Sequence, residues 1–352
     1  LPLALVGVVP AARAGGVSIP AAAFVGLYDV VLPVGLVGAG AWLLLQRPIA
    51  LPPARVRSGH PDVPSGRSRG LLAGTLGVVV GGAVGSVVAS WAAPVAAVGV
   101  GVGAGLAVHY RPMARVRGDV RAIESGLADA TAVVGRRVTA GESVETAVES
   151  AADATTGRTS DLFATAAGLQ RRLRVGVRRA FLGDHGALTD VPSPRARATA
   201  SLLSVAAAQG RPAGATLVTL ADHLTELRRV EAEARRELAA ITGTLRHTAA
   251  VFAPLVGGAT VAMATQMAAS EATLATSGPV SGATPGAAVL PPSTLGLAVG
   301  VYVLALAAIL TAVAAGLDRG LDRALVGYRV GLALLSATPT YLVAFLGASM
   351  LF

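Results

Sequence analysis

Six uninterrupted apolar blocks constrain this chain more than any other feature of its sequence. Each block has about 20 residues, the length that a helix needs to cross the ~30 Å hydrocarbon core of a bilayer at about 1.5 Å rise per residue. Only 14% of the 352 residues are charged, too few to cover the surface of a water-soluble protein of this size. The sequence therefore predicts an all-α polytopic membrane protein. The predicted spans are residues 24–46, 71–89, 92–109, 249–269, 295–317 and 330–351.

The arginine distribution predicts the orientation of these spans, because basic residues that flank a span are retained on the cytoplasmic side. The loops 47–70 and 318–329 carry several arginines each, so both are predicted to be cytoplasmic. The turn at Ser90–Trp91 has no charge and segment 270–294 has a single glutamate, so both are predicted to be external. With six spans, this alternation places segment 110–248 in the cytoplasm.

The chain is therefore divided into an N-terminal membrane region, a soluble insertion and a C-terminal membrane region, at residues 1–109, 110–248 and 249–352. The insertion holds 20 of the 29 arginines against 15 acidic residues and has no apolar run long enough to span a bilayer. Its apolar residues recur every three or four positions, which is typical of amphipathic helices. We expect an inserted helical bundle in the cytoplasm.

Four helices precede the last helix of this bundle. The first carries a stripe from Val116 to Val134, and Gly141 separates it from a shorter helix that begins near Val144. A third helix is predicted to run without a break from about Ser160 to Leu182. The fourth begins at the pair Ser193-Pro194, a capping residue followed by proline at the first helical position, and ends at Gly210.

The last helix is predicted to leave the bundle and enter the membrane. No proline occurs between Pro212 and Pro254, and Gly243 alone costs only about 1 kcal/mol relative to alanine. A helix 213–247 is therefore expected to continue into the span 249–269 as a rigid rod, with a helix that merely anchors the domain as the alternative. Its predicted core stripe is Leu217, Leu220, Leu224, Leu227, Ala234, Leu238, Ile241 and Leu245, with Glu231 the one position out of type.

Two segments of the insertion resemble the F-domain of the platform proteins of type II secretion and type IV pili, in particular the archaeal pilus and archaellum members. One is the turn Gly210, Pro212 and Gly214 with the following "LADHLTELRRVEAEARRELAAITGTLRHTAAVFAPLVGG", and the other is "GRRVTAGESVETAVESAA". Many members carry two such domains and this chain shows one. It is therefore expected to be either a single-domain type, as in the tight-adherence pili, or the C-terminal half of a longer chain, and the start at Leu1 instead of Met favours the second.

The resemblance implies a cell-membrane platform beneath a growing filament. Its implied partners are a cytoplasmic hexameric secretion ATPase, prepilin or archaellin-like subunits, membrane lipids and further copies of itself, with no nucleic acid. Because a basic domain attracts acidic proteins and anionic headgroups, arginines are the candidate ATPase contacts. These are Arg171, Arg172, Arg174, Arg178 and Arg179, with Arg319 and Arg323 as weaker candidates. On one continuous helix, positions 171, 174 and 178 would share a face, and 172 and 179 would lie on the adjacent one.

No catalytic, cofactor or metal site is predicted. The chain has no cysteine, and the histidines His60, His109, His185, His223 and His247 show no metal-ligand spacing. The main rival function is a solute transporter or its membrane subunit, and a second is a scaffold or sensor without a motor. Transporters usually place ionisable residues at mid-membrane, whereas the last three predicted spans contain no charge. Asp29 is the one acidic residue within a predicted span, and we expect it either at headgroup level or at an ion site.

Overall fold

The computed structural model describes residues 26–45, 68–210, 212–276, 291–319 and 322–351, and every regular element in these ranges is a helix. Two helices are preceded by five-residue π-helical turns, Leu27–Val31 before α1 and Thr248–Phe252 before α9. The helices are α1 Leu32–Leu45, α2 Ser68–Val88, α3 Ala92–Thr139, α4 Val144–Ala154, α5 Gly157–Leu173, α6 Val177–Leu182, α7 Pro194–Gln209, α8 Ala213–His247, α9 Ala253–Thr276, α10 Pro292–Arg319 and α11 Arg323–Leu351.

The protein consists of two compact units. One, here the membrane unit, contains the described residues up to Arg111 and from Leu238 onward. The other, here the bundle unit, contains Pro112–Glu237. The two longest α-helices, α3 and α8, each contribute residues to both units.

Five helical runs among the described residues are long and apolar enough to cross a bilayer. They are Ser68–Val88, Ala92–Thr139, Ala213–Ser270, Ser293–Asp318 and Arg323–Leu351. Each contains most or all of one predicted span, and the remaining predicted block, 24–46, contains the shorter apolar helix Asp29–Trp42. The prediction of an all-helical membrane protein is therefore confirmed.

Glycines let α2 and α3 pack with their backbones in contact. A Cβ atom added to Gly81 would lie 2.4 Å from the carbonyl oxygen of Ala96, and one added to Gly77 would lie 2.8 Å from that of Val100. On α3, Gly101 faces α2, whereas a Cβ on Gly103 would meet Leu334 and Leu335 of α11. Small residues are what close helix packing within a membrane requires. The glycines of α2 and α3 therefore serve close helix packing.

An aromatic cluster lies beside the turn that joins α2 to α3. Trp91 packs edge-to-face on Tyr341 and Phe345, with ring centroids 6.1 and 5.1 Å apart. The Tyr341 hydroxyl donates a hydrogen bond of 2.9 Å to the carbonyl oxygen of Gly296. Gly296 has no room for a Cβ, which would lie 2.6 Å from the indole of Trp91. The uncharged turn at Ser90–Trp91 is therefore tied to α10 and α11.

The bundle unit has one hydrophobic core, to which α4, α5, α6, α7 and parts of α3 and α8 all contribute. Its largest side chains include Phe163 and Phe181, which pack edge-to-face with centroids 5.4 Å apart and are 1% exposed. The predicted start of α7 is confirmed, because the Ser193 hydroxyl accepts a hydrogen bond from the amide of Ala196 and Pro194 occupies the first helical position.

The prediction of one continuous helix from Ser160 to Leu182 is wrong. The chain forms two helices, α5 and α6, and Arg174 between them adopts a left-handed backbone with φ 52° and ψ 42°. Leu173 is 61% exposed, whereas Val177 and Phe181 are buried. The break therefore turns the chain so that Val177 and Phe181 return to the core.

The predicted core stripe of α8 is correct only in its first turns. Leu217 and Leu224 are buried and Leu220 packs against the core, but Leu227 and Ile241 are 52% and 55% exposed. Ala234 is exposed too. The spacing of apolar residues indicates which side of a helix is apolar. It does not indicate how far along the helix the neighbouring helices extend, so the apolar stripe continues beyond the core.

Candidate partner-binding surface

The five arginines of the predicted ATPase contact lie where α5 ends and α6 begins. Arg171 and Arg172 occupy the last turn of α5, Arg174 occupies the left-handed position, and Arg178 and Arg179 belong to α6. All five side chains are exposed. Because the helix is broken between them, the prediction that 171, 174 and 178 share one helical face is wrong.

Pairing divides these arginines into two groups. Arg171 forms an ion pair with Glu149 of α4, so its charge is already partly neutralised. Within the described part of the chain, the side chains of Arg172, Arg174, Arg178 and Arg179 make no ion pair or hydrogen bond. Three of these four, Arg174, Arg178 and Arg179, lie within the six residues that follow the end of α5 at Leu173. They form a surface, here the α6 basic surface, defined by Arg174, Arg178 and Arg179.

The weaker candidates, Arg319 and Arg323, belong to the membrane unit. Arg323 is the first residue of α11 and is exposed, and Arg319 is the last residue of α10. The acids beside them are engaged elsewhere. Asp322 is buried and caps α11, because its Oδ1 accepts a hydrogen bond of 3.0 Å from the amide of Ala324.

Asp318 belongs to an ion-pair cluster that was not predicted. It accepts hydrogen bonds from Arg246 of α8 and Arg329 of α11, the second at 3.2 Å. The Asp318 side chain is 17% exposed and that of Arg329 is 20% exposed. This three-residue cluster, here the Asp318 cluster, ties three helices of the membrane unit together. The only sequence signal for this cluster was the position of Asp318, an acidic residue directly after the predicted span 295–317.

Glu231, the residue out of type on α8, also has a partner. It accepts a hydrogen bond of 2.7 Å from Arg195 of α7, and Arg235 lies 3.7 Å away on the same helix. The hydrogen bond with Glu231 raises the pKa of Arg195 above its usual value. Glu231 is therefore paired on its own helix with Arg235 and, at the shorter distance, with Arg195 of α7.

The turn that carries the family resemblance is conformationally demanding. Gly210 has φ +71°, which few residues other than glycine adopt, and it ends α7. A Cβ added to Gly214 would lie 2.6 Å from the backbone nitrogen of Thr139, so α8 begins in backbone contact with the end of α3. Pro212 lies in the exposed turn between them. These three residues position the start of α8 and provide no reactive group.

The histidines are not gathered into a site in the described part of the chain, where no three His, Asp or Glu side chains come close enough to hold a metal ion. His60 lies outside the described residues.

The fold and the surface together define an all-helical membrane protein with a helical bundle that presents unpaired arginines. Comparison of the chain with protein-family models, curated proteins and solved structures finds no match in any of the three.

Proposed function

We propose that the protein is a membrane platform for the assembly of a type IV pilus-like filament or a type II secretion pseudopilus. In this function it couples a cytoplasmic hexameric ATPase to the extraction and insertion of prepilin subunits. The observation that carries the proposal is the helical run Ala213–Ser270, which starts in the bundle core and ends as an apolar span. A continuous helix transmits displacement along its axis, which a platform driven by a motor requires.

The proposal assigns the ATPase contact to the α6 basic surface. Arg171 and Arg172 lie on α5, before the break at Arg174, and are not part of that surface. Exposed and unpaired guanidinium groups are available to carboxylates of a protein partner, whereas Arg171 is occupied by Glu149. Arg319 and Arg323 remain secondary candidates, because the second is exposed at the start of α11.

The ATPase contact is tested by reversing three charges. We expect R174E/R178E/R179E to insert and accumulate normally and to lose ATPase recruitment and filaments. The control variant R136E/R229E/R236E makes the same change in net charge at exposed arginines of the bundle unit and should recruit ATPase normally. Electrostatic docking also weakens steeply with salt, because charges are screened beyond about 8 Å at physiological ionic strength. Equal ATPase binding by the two triple variants would contradict this assignment.

The proposal includes six spans and a cytoplasmic bundle. The π-helical turn Leu27–Val31 and α1 have five and fourteen residues. At helical rise they reach about 28 Å, close to the thickness of the hydrocarbon core. The test uses single cysteines at Ser277, Arg172 and Arg323 in a chain without native cysteine. An impermeant maleimide should label position 277 in intact cells and positions 172 and 323 only after lysis. Ser277 lies outside the described residues. Labelling of position 172 in intact cells would contradict the orientation.

The rival function, a permease, has one observation in its favour. Asp29 lies in the π-helical turn Leu27–Val31, and its Oδ1 is buried without a hydrogen-bond partner in the described part of the chain. π-helical turns and intramembrane acids are both frequent at functional sites. If the protein moves a solute, D29N abolishes transport in vesicles. A platform without transport activity should keep its filaments when Asp29 is replaced.

A further inference from the structure

The outer face of α5 carries one acid and one base that have no partner in the described part of the chain. Asp161 lies in the second turn of the helix and Arg172 in its last turn, and both are exposed. They are eleven residues apart, which at 100° per residue places them within about 20° of each other around the helix. The two charges are therefore at opposite ends of one face, separated by about 16 Å along the axis.

The residues between these charges are small. Ala164 and Thr165 are exposed, and Gly168 lies on the same face. A Cβ added to Gly168 would meet nothing within 4 Å, so no described part of this chain requires a glycine there. Glycine in the interior of a helix is less stable than alanine. A partner that approaches the backbone closely would explain its presence.

The acidic end of this face opens into a groove of about 220 Å³. Asp161 and Thr165 line it together with Asp119, Asp190 and Arg158, and its floor is apolar. Arg158 is already bound by Asp119, through two hydrogen bonds of 3.1 and 3.2 Å. The Asp161 carboxylate, by contrast, makes no ion pair or hydrogen bond within the described part of the chain, so this end of the groove suits one additional arginine side chain.

We infer that a second copy of this chain docks on this face, with its α5 antiparallel. In such a pair Arg172 of each copy enters the acidic groove of the other and contacts Asp161, and Thr165 lies opposite Gly168. A twofold axis makes both contacts at once, because the face has its acid at one end and its base at the other. The pairing uses α5 and the groove beside it, and it does not depend on the proposed function. Arg172 is not part of the α6 basic surface.

A parallel pair is disfavoured by the same charges. It would place Asp161 of one copy opposite Asp161 of the other, and Arg172 opposite Arg172. Like charges that face each other in an interface are repulsive. An unrelated partner would have to carry the same charges at the same spacing, whereas a second copy already has them.

Disulfide formation in the full-length chain tests the pairing, because the chain has no native cysteine. Two differently tagged copies, one T165C and one G168C, are co-expressed in membranes and oxidised. We expect a disulfide between them at least about tenfold above the background of S201C, an exposed position on α7. A yield equal to that background would overturn the inference.

Charge reversal then tests the two contacts. D161R in both copies, or R172D in both, should reduce the disulfide yield at least about tenfold, because each places like charges at both ends of the face. D161R in one copy and R172D in the other restores both attractions, so the yield should recover. D153R in both copies, at an exposed acid of α4, should leave it unchanged. Failure of the mixed copies to recover, or equal yields with all variants, would refute the antiparallel pairing.

Discussion

Replacement of Asp318 by asparagine should destabilise the membrane unit more than any change at the exposed arginines around it. The Asp318 carboxylate accepts hydrogen bonds from Arg246 and Arg329. The Arg329 Nη1 atom lies 3.2 Å from Asp318 Oδ2. D318N removes the negative charge and leaves two guanidinium groups close together. Because the Asp318 and Arg329 side chains are 17% and 20% exposed, water cannot fully replace the lost partner.

The expected cost lies between that of an exposed pair and that of a fully buried one. Exposed ion pairs contribute up to about 1 kcal/mol, and breaking a buried pair costs about 3–5 kcal/mol. Arg246 is 43% exposed, which moves the estimate toward the lower limit. We expect D318N to lower the free energy of unfolding by about 2 kcal/mol. For a unit of this size, that lowers the midpoint of thermal unfolding by roughly 4–8 °C.

Thermal unfolding in detergent, followed by circular dichroism, measures this loss. The matched control is R323Q, an exposed arginine at the start of α11, which should change the stability by less than about 0.5 kcal/mol. A double-mutant cycle of D318N with R329Q isolates the pair and should give a coupling of about 1 kcal/mol. Equal midpoints for D318N and R323Q would show that the Asp318 cluster contributes no stability. Additive effects in the cycle would show that the pair of Asp318 with Arg329 contributes none.

Three further predictions concern packing and the long helix. G81A should destabilise the protein by about 1–3 kcal/mol, because its Cβ would lie 2.4 Å from the carbonyl oxygen of Ala96. G82A meets nothing closer than 3.7 Å and should leave the stability unchanged or raise it by up to about 1 kcal/mol; thermal unfolding compares the two. F181A should cost about 3–5 kcal/mol and L182A less than about 1, because Phe181 is 1% and Leu182 36% exposed; equal susceptibility of the bundle to limited proteolysis would contradict this. Insertion of Gly-Gly-Gly after Thr244 makes the helix less stable by about 1 kcal/mol per glycine. It should leave membrane insertion and ATPase binding intact while filaments disappear. Near-normal filament counts by electron microscopy would mean that α8 only anchors the bundle.

Elements that depend on local chemistry could be predicted from the sequence. The start of α7 at Ser193-Pro194 is one, because a capping hydroxyl and a proline at the first position act within a single turn. The membrane-crossing helices are another, because the bilayer requires long uninterrupted apolar runs.

Features that depend on distant parts of the chain could not be predicted. The break between α5 and α6 follows from the packing of Phe181 on Phe163, and the helical period of the sequence continues across it without change. Arg246 and Asp318 are 72 positions apart, so no local pattern connects them. The same holds for Arg195 and Glu231, where the sequence showed only that an acid stood in an apolar stripe.

The two π-helical turns share a cause. Each ends two residues before a proline, Pro33 after Leu27–Val31 and Pro254 after Thr248–Phe252. Proline lacks the amide that would bond four residues back, and its ring crowds that carbonyl. In the second turn the amide of Ala253 donates to the carbonyl oxygen of Thr248, five residues back, so the widened turn keeps the backbone bonded on the approach to the proline. The chain therefore enters α9 from α8 without a break, and Pro254 does not end the helix that the proposed function needs.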